Sequence, residues 1–370
     1  MEVIEIREKR KNEHIEIACA LAGEQGATGL ENVHLIHNAL PELDLADINL
    51  QGFWGAKAYR YPLVINAMTG GTYKSHQINQ DLAYLAAKHG LIMAVGSQVV
   101  ALENPEARES FSVVRKENPG GIIWANISAR SEPEKVKQAA EMIDADGIQL
   151  HLNVPQELTM FEGDRDFTGI LENIGKIISC LDIPVMAKEV GFGLSREAGL
   201  SLYRQGIRTF DIGGRGGTNF LAIEDQRQGL FEKESHAWGL PTAVSLAEIL
   251  ALSLPVSVIA SGGIRTALDA AKVLAMGADL AGIAGIFLHI LQKQGRAGLD
   301  HYLETFLYRL RSLVLMTGAR NLEQLMEKPV IITKETGEWM QLRGIEPALW
   351  AKKEDGIFRR RHKNQIKPGN

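Results

Sequence analysis

Eight short apolar runs at near-regular spacing constrain this chain's fold more than any other feature. They are Leu63–Ala67, Leu91–Val95, Gly121–Asn126, Gly147–Leu152, Pro184–Lys188, Thr209–Ile212, Val256–Ala260 and Leu280–Ala284. Consecutive runs start 28, 30, 26, 37, 25, 47 and 24 residues apart. A strand with its crossover helix needs roughly 25–35 residues. The runs are apolar almost throughout, as parallel strands buried on both faces must be. Helix patterns fill the gaps. Ala267–Met276 carries Leu268, Ala271, Leu274 and Ala275 on one face and stops at Gly277; Ile78–His89 stops at Gly90, and Arg196–Gln205 at Gly206. Eight β-then-α units predict an α/β chain folded as a (β/α)8 TIM barrel. A doubly wound open sheet is the competitor. The count of eight, and the chemistry-bearing residues that follow nearly every run, favour the barrel.

Around the units, residues 1–60 read as an N-terminal extension, 61–326 as the barrel with C-terminal helices, and 327–370 as a tail. Phe220–Leu240 lengthens the sixth-to-seventh connection and reads as a lid or binding loop. The last 20 residues hold Lys352, Lys353, Arg359, Arg360, Arg361, Lys363 and Lys367 against Glu354 and Asp355, which reads as a solvated terminus. With 45% hydrophobic and 23% charged residues, a largely disordered chain is excluded. A net charge of −5 argues against a nucleic-acid-binding surface. No apolar run reaches the ~18 residues of a membrane span; Ala247–Ile264 comes closest and is interrupted by Glu248, Ser253, Pro255 and Ser257. The charged N-terminus has no apolar signal core. Two cysteines, Cys19 and Cys180, exclude a disulfide framework or a zinc cluster, so a reduced, cytoplasmic protein is expected.

In a barrel, chemistry sits just past the C-terminal ends of the strands. Those positions hold Met68-Thr69-Gly70-Gly71, Gly96-Ser97-Gln98, Asn126, His151-Leu152-Asn153 with Gln156-Glu157, Lys188-Glu189, Gly213 through Thr218, Ser261-Gly262-Gly263-Ile264-Arg265 and Ala284-Gly285. The Gly262-Gly263 turn, Arg265 and a helix opening at Gly285 form a phosphate pocket: backbone N–H groups close on anionic oxygens. Lys188 ends an apolar strand, where a lysine either transfers a proton, forms a Schiff base or neutralises a ligand anion. Thr69, Ser97 and Asn126 suit the edges of a planar heterocycle. Together these suggest flavin mononucleotide (FMN), with Lys188 near the edge that becomes anionic on reduction. Gln156 and Glu157 are adjacent and point to different sides, one toward a flavin, the other toward a metal. One carboxylate plus substrate oxygens commonly holds Mg²⁺. Arg10, Lys11 and His14 form a basic group able to clamp an acidic substrate.

These segments resemble the type 2, flavin-dependent isopentenyl-diphosphate isomerases. The resemblance rests on Arg10-Lys11-Asn12-Glu13-His14-Ile15, Met68-Thr69-Gly70-Gly71, Gly96-Ser97-Gln98, His151-Leu152-Asn153 with Gln156-Glu157, Lys188 through Gly193, Gly216-Gly217-Thr218 with Glu224 and Arg227, Trp238-Gly239 with Pro241-Thr242, and Ala260 through Arg265, in family order. The resemblance implies FMN held by Met68, Thr69, Gly70, Ser97, Asn126, Lys188, Thr218, Gly262, Gly263, Arg265, Ala284 and Gly285. It implies a diphosphate met by Arg10, Lys11, His14, His151, Asn153 and Arg227, Mg²⁺ on Glu157, and Gln156 near the reacting carbons as the catalytic residue. It implies interconversion of isopentenyl and dimethylallyl diphosphate on reduced FMN, with NADPH or another reductant priming the flavin, in a homotetramer or homo-octamer.

Two other enzyme readings fare worse. An FMN-dependent 2-hydroxy-acid oxidase needs a histidine base beside an arginine, and no histidine follows Gly213–Thr218 until His236. An inosine-monophosphate-dehydrogenase-like enzyme needs a loop cysteine after the sixth strand, but Cys180 precedes the fifth. A non-catalytic flavin-binding barrel leaves Asn153, Gln156 and Glu157 without a purpose.

Overall fold

The computed structural model describes residue 17 and residues 26–353 apart from 162 and 230, with the backbone alone at 227 and 228. The eight apolar runs are strands β1 (Leu63–Ile65), β2 (Ile92–Ala94), β3 (Ile123–Ser128), β4 (Gly147–Leu152), β5 (Val185–Glu189), β6 (Thr209–Asp211), β7 (Ser257–Ser261) and β8 (Leu280–Ile283). Each pairs in parallel with the next, and β8 returns to β1 through Ala281↔Leu63 and Ile283↔Ile65, closing the barrel. The (β/α)8 architecture expected from the spacing is therefore the fold. Helix Ala267–Met276 keeps its expected bounds. It starts on a capping box, with the Thr266 hydroxyl accepting from the Asp269 N–H while the Asp269 side chain reaches back, and ends at Gly277.

Strand alternation explains how one barrel is apolar at one end and polar at the other. Residues two apart share a face. Outward-facing Ile65, Met93, Ala125, Ile148, Ala187, Phe210, Val258 and Ala281 pack under the helices in one core. Inward-facing Val64, Ile92, Trp124, Met186, Ile259 and Leu280 fill the barrel's N-terminal end in a second. Two residues further along the same faces stand Asn66 above Val64, Asn126 above Trp124, Lys188 above Met186 and Ser261 above Ile259. The interior thus changes from apolar to polar within one pleat.

A hairpin of Gly52–Trp54 against Lys57–Tyr59, inside the expected N-terminal extension, plugs the apolar end. Its Trp54 ring lies 4.7 Å from that of Trp124, and the Trp54 indole N–H donates to the Asp146 carbonyl at 2.9 Å.

Between Met326 and residue 353 the described chain packs back onto the barrel. Val330–Ile332 pairs antiparallel with Val33–Leu35, joining the two ends of the described chain. Helix Lys334–Leu342 is tied down by Arg343, whose guanidinium bonds buried Glu248 at 2.7 Å and Glu197 at 2.5 Å. Trp350 is buried, its indole N–H on the Met276 carbonyl. The physical reason is long-range: these partners lie tens to hundreds of residues away, so no local pattern in the segment reveals them. Among the described residues no helix is long and apolar enough to cross a membrane.

Candidate active site at the barrel mouth

A cavity of about 1080 Å³ opens at the C-terminal ends of the strands. Met68 and Thr69 after β1, Ser97 after β2, and Asn126 on β3 line it, as do Lys188 on β5 and Thr218 after β6. Gly262, Gly263 and Arg265 after β7 complete the wall with Ala284 and Gly285 after β8. His151, Asn153, Gln156 and Glu157 border it from β4. Gly70 does not reach the cavity. A Cβ there would fall 2.0 Å from the Phe111 ring, so the glycine makes room for packing behind the wall. Arg10, Lys11 and His14 lie outside the described residues, and so does the Arg227 side chain. The helix that carries residue 227, Phe220–Gln228, borders the cavity through Ala222 and Ile223.

The floor of the cavity is a hydrogen-bond network centred on Asp211 of β6, which is fully buried. Its Oδ2 accepts from Lys188 Nζ at 2.7 Å, Asn66 Nδ2 at 2.7 Å and Gln149 Nε2 at 3.2 Å, while its Oδ1 accepts from the Ser261 hydroxyl. An ionised carboxylate only accepts, and that fixes every donor above it. Gln149 gives its amide N–H to Asp211 and to Asn66 Oδ1, so its Oε1 accepts from Asn126 Nδ2 at 3.0 Å. Asn126 Oδ1 is then left to accept from His151 Nδ1 at 2.9 Å. The chain of donors therefore sets the histidine tautomer, with the proton on Nδ1 and a bare Nε2. Burial, and then the nearby Lys188 charge, hold the His151 ring down at about 4, so it is neutral at pH 7. Beside it, burial pushes Glu189 up to about 8, against the Phe192 and Gly193 N–H groups that its Oε2 accepts at 2.6 and 2.8 Å.

The opposite wall is built from backbone. Gly262 and Gly263 adopt φ of 106° and 73°, and a Cβ at Gly262 would meet the Gly214 carbonyl at 1.9 Å. These residues must be glycine because two turns press against each other. Arg265 ties them, donating to the Gly216 carbonyl at 2.8 Å and the Gly263 carbonyl at 3.1 Å. The Gly285–Met316 helix, broken at Gly295, starts here with no side-chain cap from Ala284, so its first N–H groups remain open toward the cavity. An uncapped helix N-terminus, a glycine cradle that no Cβ fits and a roomy mouth with a buried lysine suit FMN. The phosphate would meet the β7 and β8 turns, and Lys188 would face the ring.

On the fourth strand's side, helix Val154–Thr159 carries Gln156 and Glu157. Their side chains leave the helix in different directions yet share a partner. Adjacent helix residues differ by about 100°, and both side chains meet one donor: Asn153 Nδ2 gives to Glu157 Oε1 at 2.8 Å and Gln156 Oε1 at 3.3 Å. Glu157 Oε2 accepts the Asp164 N–H at 3.0 Å. Each carboxylate oxygen keeps a further lone pair and Glu157 lines the cavity, so the donor set fits a divalent ion completed by ligand oxygens. Among the described residues no group of three or more His, Cys, Asp or Glu side chains is placed to hold a metal by itself.

The sequence reading missed Asn66, Gln149 and Asp211, and named Ser261 only as part of the turn after β7. A polar residue inside an apolar strand, as Asp211 stands in Thr-Phe-Asp-Ile, was the available signal.

The profile of the FMN-dependent dehydrogenase family matches residues 238–332. Solved structures share the fold: a putative lactate oxidase from Pediococcus acidilactici superposes with a TM-score of 0.66 at 15% identity, covering 90% of this chain and 94% of that one. A mandelate oxidase variant with an FMN adduct gives 0.62 at 17%, covering 86% and 96%. Whole-length relatives are much nearer. The isopentenyl-diphosphate delta-isomerase of Moorella thermoacetica is 50% identical over 335 residues, 90% of this chain and 96% of that one. That of Symbiobacterium thermophilum is 46% identical over 354 residues, 93% and 97%. At that identity and coverage, with the strand-end residues gathered at one mouth, the chain belongs to the isopentenyl-diphosphate delta-isomerase family.

Proposed function

We propose that this protein interconverts isopentenyl and dimethylallyl diphosphate by a 1,3-proton shift, using reduced FMN and Mg²⁺. The observation that carries this reading is the placing of Asn153, Gln156 and Glu157 on the same cavity as Lys188 and the glycine cradle, in a chain half identical to a named isomerase. Protonating an unactivated alkene carbon needs a strong acid, and no described side chain at the mouth is one. Reduced FMN, when bound, supplies the acid and base for the two proton transfers.

This chain's residues do the rest. Lys188, held by Asp211, would place a positive charge at the edge where the reduced ring is anionic. Glu157 and the substrate's oxygens would share Mg²⁺, while Arg10, Lys11, His14, Asn153 and Arg227 would meet the diphosphate. His151 borders the same subsite, and a diphosphate favours its protonated form because the neutral ring presents no N–H at Nε2. Binding energy gathered on the diphosphate positions the reacting carbons beside Gln156 without contacting them. NADPH or another reductant primes the flavin and takes no part in turnover.

The same reading has residues 61–326 as the working barrel, flanked by 1–60 and 327–370. It also has a homotetramer or homo-octamer, to which exposed Leu40, Tyr308 and Leu342 would contribute, and a reducing cytoplasm in which the exposed Cys180 thiol stays free. The test is Gln156→Ala: isomerisation falls at least a hundredfold while FMN affinity stays within threefold. Loss of the flavin instead would place Gln156 with the cofactor. Glu157→Gln raises the Mg²⁺ requirement about tenfold, and an unchanged Mg²⁺ titration removes Glu157 from the metal.

A further inference from the structure

We infer that Arg130 is an anion-binding residue of the mouth, held ready by Asp164 and released to the diphosphate when substrate arrives. This rests on the function proposed above. Arg130 follows β3 by two residues and borders the cavity next to the Asn153–Glu157 cluster. Its loop is held rigid: the Asn173 amide donates to the carbonyls on both sides of it, Ala129 at 2.8 Å and Ser131 at 2.9 Å. The Arg130 N–H and the Ser131 N–H return to Ser128.

Among the described residues three arginines line the cavity, at 130, 215 and 265. The Arg215 and Arg265 guanidinium groups donate to backbone carbonyls, although Arg215 Nε is itself buried without an acceptor among the described residues. Arg130 differs. Its Nη1 is buried and lies 2.6 Å from Asp164 Oδ2, yet off line for a hydrogen bond, and among the described residues its guanidinium makes none. A buried donor with a nearby charge but no aligned acceptor has spare capacity for one that fits, and a diphosphate oxygen fits a guanidinium fork. Charge balance points the same way. Glu157 and Asp164 both border this side of the mouth, and the Asp164 N–H is bonded to Glu157. A diphosphate approaching a Glu157-bound cation would meet the Asp164 carboxylate, whose charge Arg130 offsets from 2.6 Å.

If so, the two partners have opposite effects. Arg130→Gln removes an acceptor's partner, while Asp164→Asn frees the guanidinium. FMN-loaded wild type and both variants are titrated calorimetrically with inorganic diphosphate and Mg²⁺, and steady-state rates on isopentenyl diphosphate are measured alongside. Arg130→Gln weakens diphosphate binding and raises KM by roughly 10–100-fold with kcat within threefold, the mark of binding lost equally from ground and transition states. Asp164→Asn strengthens diphosphate binding by roughly 3–10-fold.

Binding within twofold of wild type in Arg130→Gln overturns the inference. So does Asp164→Asn weakening it as Arg130→Gln does, which marks the pair as a structural clip. If Arg130→Gln does not fold, Asp164→Asn decides alone, and unchanged or weaker binding overturns. A wild type that binds diphosphate without isomerising it removes the proposed function and leaves Arg130 in its role. A wild type that binds no diphosphate removes both.

Discussion

Asp211→Asn is the substitution to which the floor of the mouth is most sensitive. Asp211 is 0% and Lys188 7% exposed, and their charged atoms are 2.7 Å apart. At an effective dielectric of about 20, that separation corresponds to about 6 kcal/mol of attraction. Against it stands a desolvation cost of several kcal/mol for each ion, so the pair adds little by itself. Removing only the carboxylate is different, because the lysine stays buried with nothing opposite it. Losses of about 3–5 kcal/mol follow such a change. Asparagine cannot restore the network. Four donors converge on Asp211, and an amide offers one oxygen and an NH₂ that faces a donor. The assay is chemical unfolding of protein without added flavin, followed by circular dichroism and tryptophan fluorescence with coincident transitions as the check on two-state behaviour. The expected loss is about 3–5 kcal/mol, and adding Lys188→Met to Asp211→Asn recovers about half of it by removing the stranded charge. A loss below about 1 kcal/mol, or no recovery in the double variant, would refute the reasoning that Asp211 organises the floor.

Two further expectations follow from the same geometry. The His151 ring is held at about 4 in the fold against 6.5 in the unfolded chain. Unfolded protein therefore binds a proton that the fold refuses below pH 6.5, and stability falls as the pH drops from 6.5 toward 4, by about 1.6 kcal/mol between pH 6.5 and 5. Unfolding midpoints of wild type and His151→Phe across that range check it, since the variant loses this part of the slope; equal slopes contradict the assignment. Gly262→Ala sets a Cβ 1.9 Å from the Gly214 carbonyl at a φ of 106°. It weakens FMN binding at least tenfold, read by flavin fluorescence quenching, whereas unaltered affinity would mean that the cradle yields freely.

The barrel strands were legible because both faces of each are buried, so the run of apolar residues marks a strand without any alternation to decode. The mouth was legible because barrel chemistry clusters after those runs. Its floor was not. Asp211, Gln149 and Asn66 sit within or at the edge of apolar stretches and matter only through partners on other strands, up to 145 residues away. The plug was hidden for a similar reason. Gly52–Trp54 and Lys57–Tyr59 are three-residue strands, too short for a period to appear, and Trp54 has its purpose only against Trp124. The strand Val330–Ile332 was invisible locally because its partner, Val33–Leu35, lies almost the whole chain away. Gln156 and Glu157 were found by position, but their shared dependence on Asn153 required the helix geometry.

The most direct test of the whole account is anaerobic. The FMN-loaded protein, reduced and oxidised in parallel, is given Mg²⁺ and isopentenyl diphosphate, and dimethylallyl diphosphate is measured. The account predicts product in the reduced sample alone, with no net consumption of reductant. Bound flavin with no product in either state, or equal product in both, would contradict it.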